Sequence, residues 1–249
     1  KNLISSFYQL IYIKGGLNDV VMNNSPIDID KLIEGTNEIL TANRNSLQLF
    51  DMLHSMRQFD DLTYVHSVNV ALIASILGQW LKFSEKDIRI LTISGLLHDI
   101  GKIMIPNEIL TKPGKLTVAE YNIMKQHVNF GYEKVKNQNI DIRIKEACLL
   151  HHEKCDGTGY PFGLKSDHIP AVAKIIAIAD VYDAMTSARV YRGALCPFEV
   201  IDTMYKDAFT KFEPEYILPF LKNVASSYIN NDVRLSDGRI GKVVLINEN

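Results

Sequence analysis

Ionisable side chains inside apolar helical segments are the feature of this sequence that most restricts its fold. Five histidines and two aspartates lie in stretches whose periodicity otherwise predicts core-facing helices: His66, His98, Asp99, His127, His151, His152 and Asp180. Any one such histidine alone is more often a hydrogen-bonded core residue than a ligand. Burying all seven side chains is costly unless they pair with one another or bind a metal. The fold must therefore satisfy them as a group.

Helical periodicity dominates the remainder of the chain. It predicts helices over 29–57, 62–82, 85–100, 118–136, 141–153, 170–187, 197–210 and 214–228. Residues 232–246 are rich in β-branched side chains and centre on Asp237-Gly238, which predicts a hairpin. We therefore expect an all-α fold in three parts. These are an N-terminal helical segment (1–58), a central helical bundle (59–228) and a small C-terminal β-hairpin tail (229–249).

Charge and composition exclude several classes of protein. The 249 residues contain 27 Lys and Arg against 29 Asp and Glu, and this near-neutral balance argues against a nucleic-acid polymer as partner but not against a small nucleotide. We find neither a run of 18 apolar residues nor a signal peptide, which predicts no membrane span in this fragment. Three irregularly spaced cysteines favour a reducing cytoplasm. A homodimer and an upstream sensor or receiver domain are left open.

The seven side chains have the composition of a metal site with two ions. Seven nitrogen and oxygen ligands suit two first-row divalent ions, with water and substrate completing the coordination. An aspartate next to a histidine in sequence, as in Asp99 after His98, can bridge two ions while the histidine holds one. The set contains no cysteine, which disfavours a structural zinc site. Mixed imidazole and carboxylate ligands favour iron or manganese.

Two ordered motifs resemble those of a known enzyme family. Residues 98–102 (HDIGK) resemble the signature of HD phosphohydrolases, and residues 151–161 (HHEKCDGTGYP) resemble the second signature of the HD-GYP family. The resemblance extends over roughly residues 60–215. HD-GYP proteins are bacterial cyclic di-GMP phosphodiesterases, so the resemblance implies an HD-type helical bundle with that activity.

The resemblance also implies roles for individual residues. It assigns one metal to His66, His98, Asp99 and Asp180, and the second to Asp99, His127, His151 and His152, with Asp99 bridging. Lys102 would contact the scissile phosphate and act in catalysis together with His98 and Asp99. Tyr160, Arg189 and Arg192 would bind the guanine nucleotide and its other phosphate. Some members hold a third metal through a glutamate where this chain has Leu62, so we expect two ions.

Three further residues are interpreted from their positions. Lys102 follows Asp99 by three residues, which on a continuous helix places both on one face. Its alternative role is that of a solvated lysine at a helix end. Asp183 lies one turn beyond Asp180 and is interpreted as a partner behind a ligand. Glu153 is left open between such a partner and an exposed residue.

The expected reaction is attack on phosphorus by a hydroxide that bridges the two ions, which gives linear pGpG and, with a second hydrolysis, GMP. Two alternatives keep the same site. In the first, the chain hydrolyses another cyclic dinucleotide or nucleotide. In the second, it is a sensor that binds the dinucleotide without turnover.

Overall fold

The computed structural model describes residues 15–16, 19–20, 22–23, 25–42, 62–187, 196–235 and 237–246. Helices make up most of this part of the chain. They are α1 (Ile29–Ala42), α2 (Leu62–Trp80), α3 (Glu85–Leu97), α4 (Asn107–Leu110), α5 (Val118–Met124), α6 (His127–Val135), α7 (Ile142–Leu150), α8 (Ala171–Thr186), α9 (Pro197–Asp207) and α10 (Pro214–Ser227). Short 3₁₀ segments occupy Ile100–Met104 and Ser166–His168. The predicted all-α class is confirmed.

Helix α2 forms the centre of the bundle. Its residues from 67 to 77 are buried on every face, as expected of a helix surrounded by other helices. Helices α3 and α8 pack against it, and α10 covers a further side. The core contains fully buried leucines and isoleucines from these helices, with Tyr182 and Phe220 in edge-to-face contact at a ring separation of 5.2 Å. This packing fixes the helices that carry the candidate ligands.

Local capping signals set two of the helix starts. Ser84 accepts a hydrogen bond from the backbone N–H of Asp87 and caps α3. Thr117 and Glu120 form a reciprocal capping box at the start of α5, as the sequence predicts. The carboxylate of Glu120 also accepts from Lys112 Nζ at 2.6 and 2.8 Å. The loop before α5 is thereby fastened to the helix.

Two predicted helices are shorter than expected. The helix predicted over 85–100 ends at Leu97 and continues as the 3₁₀ segment Ile100–Met104. The helix predicted over 118–136 is divided into α5 and α6. At the division the backbone carbonyl of Met124 accepts a hydrogen bond from Nδ1 of His127 at 2.8 Å. The backbone N–H of Gln126 donates to the carbonyl of Ile123 in a 3₁₀-type bond. The predicted continuation of the 29–57 helix beyond Ala42 lies outside the described residues.

The C-terminal hairpin is present but short. Strands β1 (Asp232–Arg234) and β2 (Ile240–Lys242) pair in antiparallel fashion with Val233 opposite Gly241. The hairpin continues the end of α10, since Asn230 N–H donates to the Val243 carbonyl at 2.7 Å. No helix in the described ranges combines the length and the apolar character needed to cross a bilayer.

Candidate metal centre

The seven predicted ligands converge in one cluster, although they come from five parts of the bundle. His66 lies within α2 and Asp180 within α8. The remaining five lie at helix ends: His98 and Asp99 follow α3, His127 begins α6, and His151 and His152 follow α7. Their side chains form two groups; in each group every residue offers one potential ligand atom, and these atoms lie within 4.8 Å of one another. One group is Asp99, His127, His151 and His152, and the other is His66, His98 and Asp180.

Asp99 lies between the two groups. Its Oδ1 is 3.3 Å from Nε2 of His127, and its Oδ2 is 3.3 Å from Nε2 of His98. Oδ2 is also 3.5 Å from Nε2 of His66. Because each carboxylate oxygen faces a different group, Asp99 has the geometry that a bridging ligand requires.

Backbone carbonyls fix the tautomer of three histidines. Nδ1 of His98, His127 and His151 lies 2.7, 2.8 and 3.0 Å from the carbonyl oxygens of Gly95, Met124 and Ala147. Each Nδ1 must carry the proton to donate to a carbonyl, so each Nε2 presents a lone pair to the cluster. These three rings are therefore oriented as metal ligands by the backbone of the helices that carry them.

The cluster contains acceptors that nothing in the described part of the chain satisfies. Nε2 of His98 and Oδ1 of Asp99 are buried without a hydrogen-bond partner there. Nε2 of His127 and Nε2 of His151 lie only 3.4 Å apart, and with both protons on Nδ1 their lone pairs face each other. A buried set of unsatisfied acceptors is strongly unfavourable unless a cation occupies it. The residues present therefore fit a metal ion.

Electrostatics keep Asp99, Asp180 and His127 in the protonation states that bind metals. Burial alone would raise the pKa of Asp99, but Lys102 and His98 outweigh it and hold that pKa well below its usual range. Burial would likewise raise the pKa of Asp180, and the hydrogen bond with His66 reverses this effect. Burial lowers the pKa of His127 to about 4. At neutral pH both carboxyl groups are thus ionised and His127 is neutral.

His66 differs from the other histidines because a carboxylate, not a backbone carbonyl, holds its Nδ1. Asp183 Oδ2 lies 2.7 Å from this nitrogen, and Asp183 Oδ1 accepts from Asn69 Nδ2 at 2.9 Å. Burial lowers the pKa of His66, but hydrogen bonds with Asp180 and Asp183 outweigh it and raise the pKa to about 9. A carboxylate behind a ligating imidazole orients the ring and increases its basicity.

We predict that Asp183→Asn weakens metal binding at the group that contains His66. The amide keeps the shape of the side chain but removes the negative charge behind the ring, and such changes typically lower metal affinity about 10- to 100-fold. Equilibrium dialysis with Mn²⁺, followed by elemental analysis, measures the occupancy. Asp202→Asn on the exposed face of α9 is the matched control. Unchanged Mn²⁺ binding in the Asp183 variant would show that this carboxylate does not support the ligand.

Lys102 lies at the cluster, on a 3₁₀ segment and not on the predicted continuous helix. Because α3 ends at Leu97, Lys102 belongs to the 3₁₀ segment, and this shape corrects the expectation of one continuous helix. Three residues per 3₁₀ turn still place Lys102 above Asp99, and its Nζ forms an ion pair with Oδ2 of that residue. The side chain is 19% exposed, so the ammonium borders both the cluster and solvent. Its contact with a phosphate stays a prediction.

Tyr160 is held against the cluster by the loop that follows α7. Its ring stacks on His152 with centroids 4.7 Å apart and planes inclined by 27°. Its backbone N–H donates to the carbonyl of His152 at 3.1 Å. This fold-back requires Gly159, because a Cβ there would overlap the backbone of Glu153 and Lys154. The predicted substrate-binding tyrosine is thus at the rim of the metal centre.

Glu153 is buried and organises the same loop, a role the sequence left open. Its Oε1 accepts the backbone N–H groups of Phe162 and Gly163 at 2.7 and 3.1 Å, and its Oε2 accepts that of Leu164 at 2.8 Å. The sequence feature that could have indicated this role is the position of Glu153, directly after His152 and directly before a glycine-rich loop whose N–H groups need acceptors. Glu153 therefore acts as an internal support for the segment that carries Tyr160.

Arg189 and Arg192 lie outside the described residues, so their proposed phosphate contacts stay predictions. His168 is exposed on the second 3₁₀ segment, away from the seven ligands. Lys174 pairs with Glu213 at 2.6 Å and donates to Ser166, which joins α8 to the loop before it and to the start of α10.

A helical bundle that closes around buried histidine and aspartate donors defines a metal-binding all-α domain. The chain belongs to the HD-domain family, whose sequence model, described as "HD domain", matches residues 33–216. This match, together with the relatives below, confirms the resemblance to HD-GYP proteins.

Relatives and solved structures agree with this assignment. A cyclic di-GMP phosphodiesterase of Pseudomonas aeruginosa is 37% identical over 190 residues, which cover 76% of this chain and 46% of the relative. A 3′3′-cGAMP-specific phosphodiesterase of Vibrio cholerae is 32% identical over 194 residues, covering 76% and 37%. The chain thus spans about half or less of the length of these relatives. An HDG"Y"P protein from Bdellovibrio bacteriovorus shares the fold, with a TM-score of 0.67, 17% identity, and coverage of 89% of this chain and 71% of that one.

Proposed function

We propose that this chain is a metal-dependent phosphodiesterase that hydrolyses cyclic di-GMP to linear pGpG and, by a second hydrolysis, to GMP. The observation that carries the proposal is the position of Asp99 between two groups of ligands. Paired ions are a recurring arrangement for phosphodiester hydrolysis. The cyclic di-GMP phosphodiesterase among the relatives supports the substrate.

The donor set supports two divalent ions, and its mixture of imidazole and carboxylate favours iron or manganese. His66, His98, Asp99 and Asp180 would hold one, and Asp99, His127, His151 and His152 the other. When bound, such ions lower the pKa of water and polarise a phosphoryl oxygen. The complete donor set disfavours the alternative of a sensor without turnover.

The chain's own residues would act on the substrate around this centre. Hydrolysis adds water across one P–O bond, so that phosphorus gains an oxygen and the departing ribose oxygen gains a proton. The Lys102 ammonium, poised beside Asp99, would offset negative charge on the phosphoryl oxygens. Tyr160 would contact the nucleotide from the rim, and Arg189 and Arg192 would bind the second phosphate.

A second candidate substrate is another cyclic dinucleotide. The similarity to a 3′3′-cGAMP-specific enzyme supports this candidate, because the two sequences share 32% identity across most of this chain.

The division into segments at 1–58, 59–228 and 229–249 stays a proposal, as do a homodimer, an upstream sensor or receiver domain and a cytoplasmic location.

Anaerobic turnover tests the proposed function. The protein is loaded with Fe²⁺ or Mn²⁺, incubated with cyclic di-GMP, and the products are separated by chromatography. We expect linear pGpG from the wild type and none from the His98→Ala/Asp99→Ala double variant. Wild-type protein that contains two ions yet yields no product from cyclic di-GMP would contradict the proposal, and 3′3′-cGAMP in a parallel reaction would then identify the second candidate.

A further inference from the structure

The ammonium of Lys125 lies between two tyrosine rings at the rim of the metal centre. Its Nζ is 5.3 Å from the ring centroid of Tyr121 and 5.9 Å from that of Tyr160. Lys125 is the C-cap of α5, and Tyr121 lies one turn earlier on that helix, so their contact alone is an ordinary helical pair. Tyr160 comes from the loop after α7. Two separate elements therefore converge on this lysine.

The position of Tyr160 connects Lys125 to the ligands. The Tyr160 ring stacks on His152 and meets His127 edge-on at 6.5 Å. Tyr160 thus contacts both the histidines of the cluster and the Lys125 ammonium. In a nucleotide the base is joined to the phosphate through one sugar, so a base whose phosphate lies at the cluster is placed among the residues that border it.

The charge of Lys125 is not cancelled by a carboxylate among the residues that the structure describes. Lys102 pairs there with Asp99, and Lys112 pairs with Glu120. Lys125 instead faces the aromatic rings, and the cation–π attraction holds its ammonium without neutralising it. Its hydrogen-bond donors therefore remain available to a ligand.

We propose that Lys125, oriented by Tyr121 and Tyr160, contacts the guanine edge of the bound cyclic dinucleotide and makes the site prefer guanine to adenine. The inference rests on the proposed function. Guanine offers two neighbouring acceptors, O6 and N7, whereas adenine places an amino donor beside N7. An ammonium can only donate, so it matches guanine and opposes the adenine amino group. The half-exposed ring of Tyr121 supplies an aromatic face on which a base can stack.

Substrate preference in a Lys125→Met variant tests this inference. The quantity to measure is the ratio of kcat/KM for cyclic di-GMP to that for cyclic di-AMP. Methionine keeps the length and apolar stem of lysine but loses the charge and the donors. We expect the ratio to fall about tenfold, toward the lower end of the discrimination that a good side-chain contact to a base edge provides. Lys125→Arg retains donors and aromatic stacking, so it should largely preserve the preference.

Lys206→Met on exposed α9, where Lys206 pairs with Asp202, is the control and should leave the ratio unchanged. An unchanged ratio in Lys125→Met would overturn the inference. An equal loss for both dinucleotides would also overturn it, because that result indicates contact with a phosphate. Metal content and circular dichroism confirm that each variant is folded.

Failure of the proposed function would appear separately. Wild-type protein that cleaves bis(p-nitrophenyl) phosphate but neither cyclic dinucleotide would contradict the function. In that case calorimetric Kd values for cyclic di-GMP and cyclic di-AMP test the role of Lys125 on binding alone. A Kd ratio that is the same in wild type and Lys125→Met would overturn it.

Discussion

Replacing Asp99 with alanine is expected to remove metal from both ligand groups and to lower phosphodiester hydrolysis by roughly 10³-fold or more. Among the seven predicted ligands, Asp99 makes the closest contacts with both groups: its Oδ1 lies 3.3 Å from Nε2 of His127 and its Oδ2 3.3 Å from Nε2 of His98, whereas Asp180 Oδ2 lies 3.8 Å from the nearest histidine nitrogen of the other group. The loss of another ligand depletes one group, whereas the loss of this carboxylate depletes both. It also removes the anion that pairs with Lys102.

Elemental analysis of metal content, combined with turnover of cyclic di-GMP, measures this effect. His151→Ala is the matched comparison. Because His151 belongs to one group only, its loss should first reduce the metal occupancy of that group. Asp202→Ala on exposed α9 controls for the loss of a carboxylate as such. An Asp99→Ala protein that retains two ions and full activity would show that this residue does not bridge.

The convergence of the seven side chains could be predicted because burial of charge leaves few solutions. A histidine in a helical segment can be satisfied locally, but seven ionisable groups on core-facing positions require one another or a cation. The segments also had clear periodicity, so the helices that carry His66 and Asp180, and the helix that precedes His151, fall close to their expected bounds. Prediction succeeded where one strong physical penalty decided the outcome.

Details that depend on tertiary hydrogen bonds were not accessible in the same way. The sequence from 118 to 136 has a continuous helical pattern, yet the chain turns at Lys125 and Gln126 before α6 begins. At this point the His127 ring donates a hydrogen bond to the backbone carbonyl of Met124. The periodicity of the sequence does not indicate such a side-chain bond. Lys125 is brought toward Tyr160 by the same turn, which explains why its position was not predicted.

Glu153 illustrates a second kind of limit. Its place in the sequence was equally compatible with exposure to solvent, because nothing local shows that the following loop folds back over it. The structure shows three backbone N–H groups of residues 162–164 converging on its carboxylate. A loop that must satisfy its own buried donors needs an acceptor, but which residue supplies it depends on the three-dimensional path.

Gly101→Ala is expected to destabilise the fold by more than about 3 kcal/mol and to disrupt the metal centre. A Cβ at this position would overlap the backbone oxygen of His127 and the backbone nitrogen of Gly131, and would lie 3.0 Å from Gly131 Cα. These are backbone atoms of α6, so a rotamer change cannot relieve the overlap. The 3₁₀ segment that follows Asp99 would have to move away from the helix that begins with His127.

Gly131→Ala provides a matched control from the opposite side of the same contact. Its Cβ would lie 3.4 Å from Gly101 N and 3.6 Å from Ile100 Cγ2, which is close to ordinary van der Waals separation. Alanine also favours the helical conformation over glycine by about 0.5–1 kcal/mol, so the net change should stay within about 1 kcal/mol. Urea denaturation and metal content measure both variants.

Equal losses of stability would show that simple crowding, and not the closeness of Gly101 to the α6 backbone, determines the effect. A Gly101→Ala protein as stable as wild type would show that the 3₁₀ segment and α6 can separate without loss, and the spacing of Asp99 and His127 would then depend on other contacts.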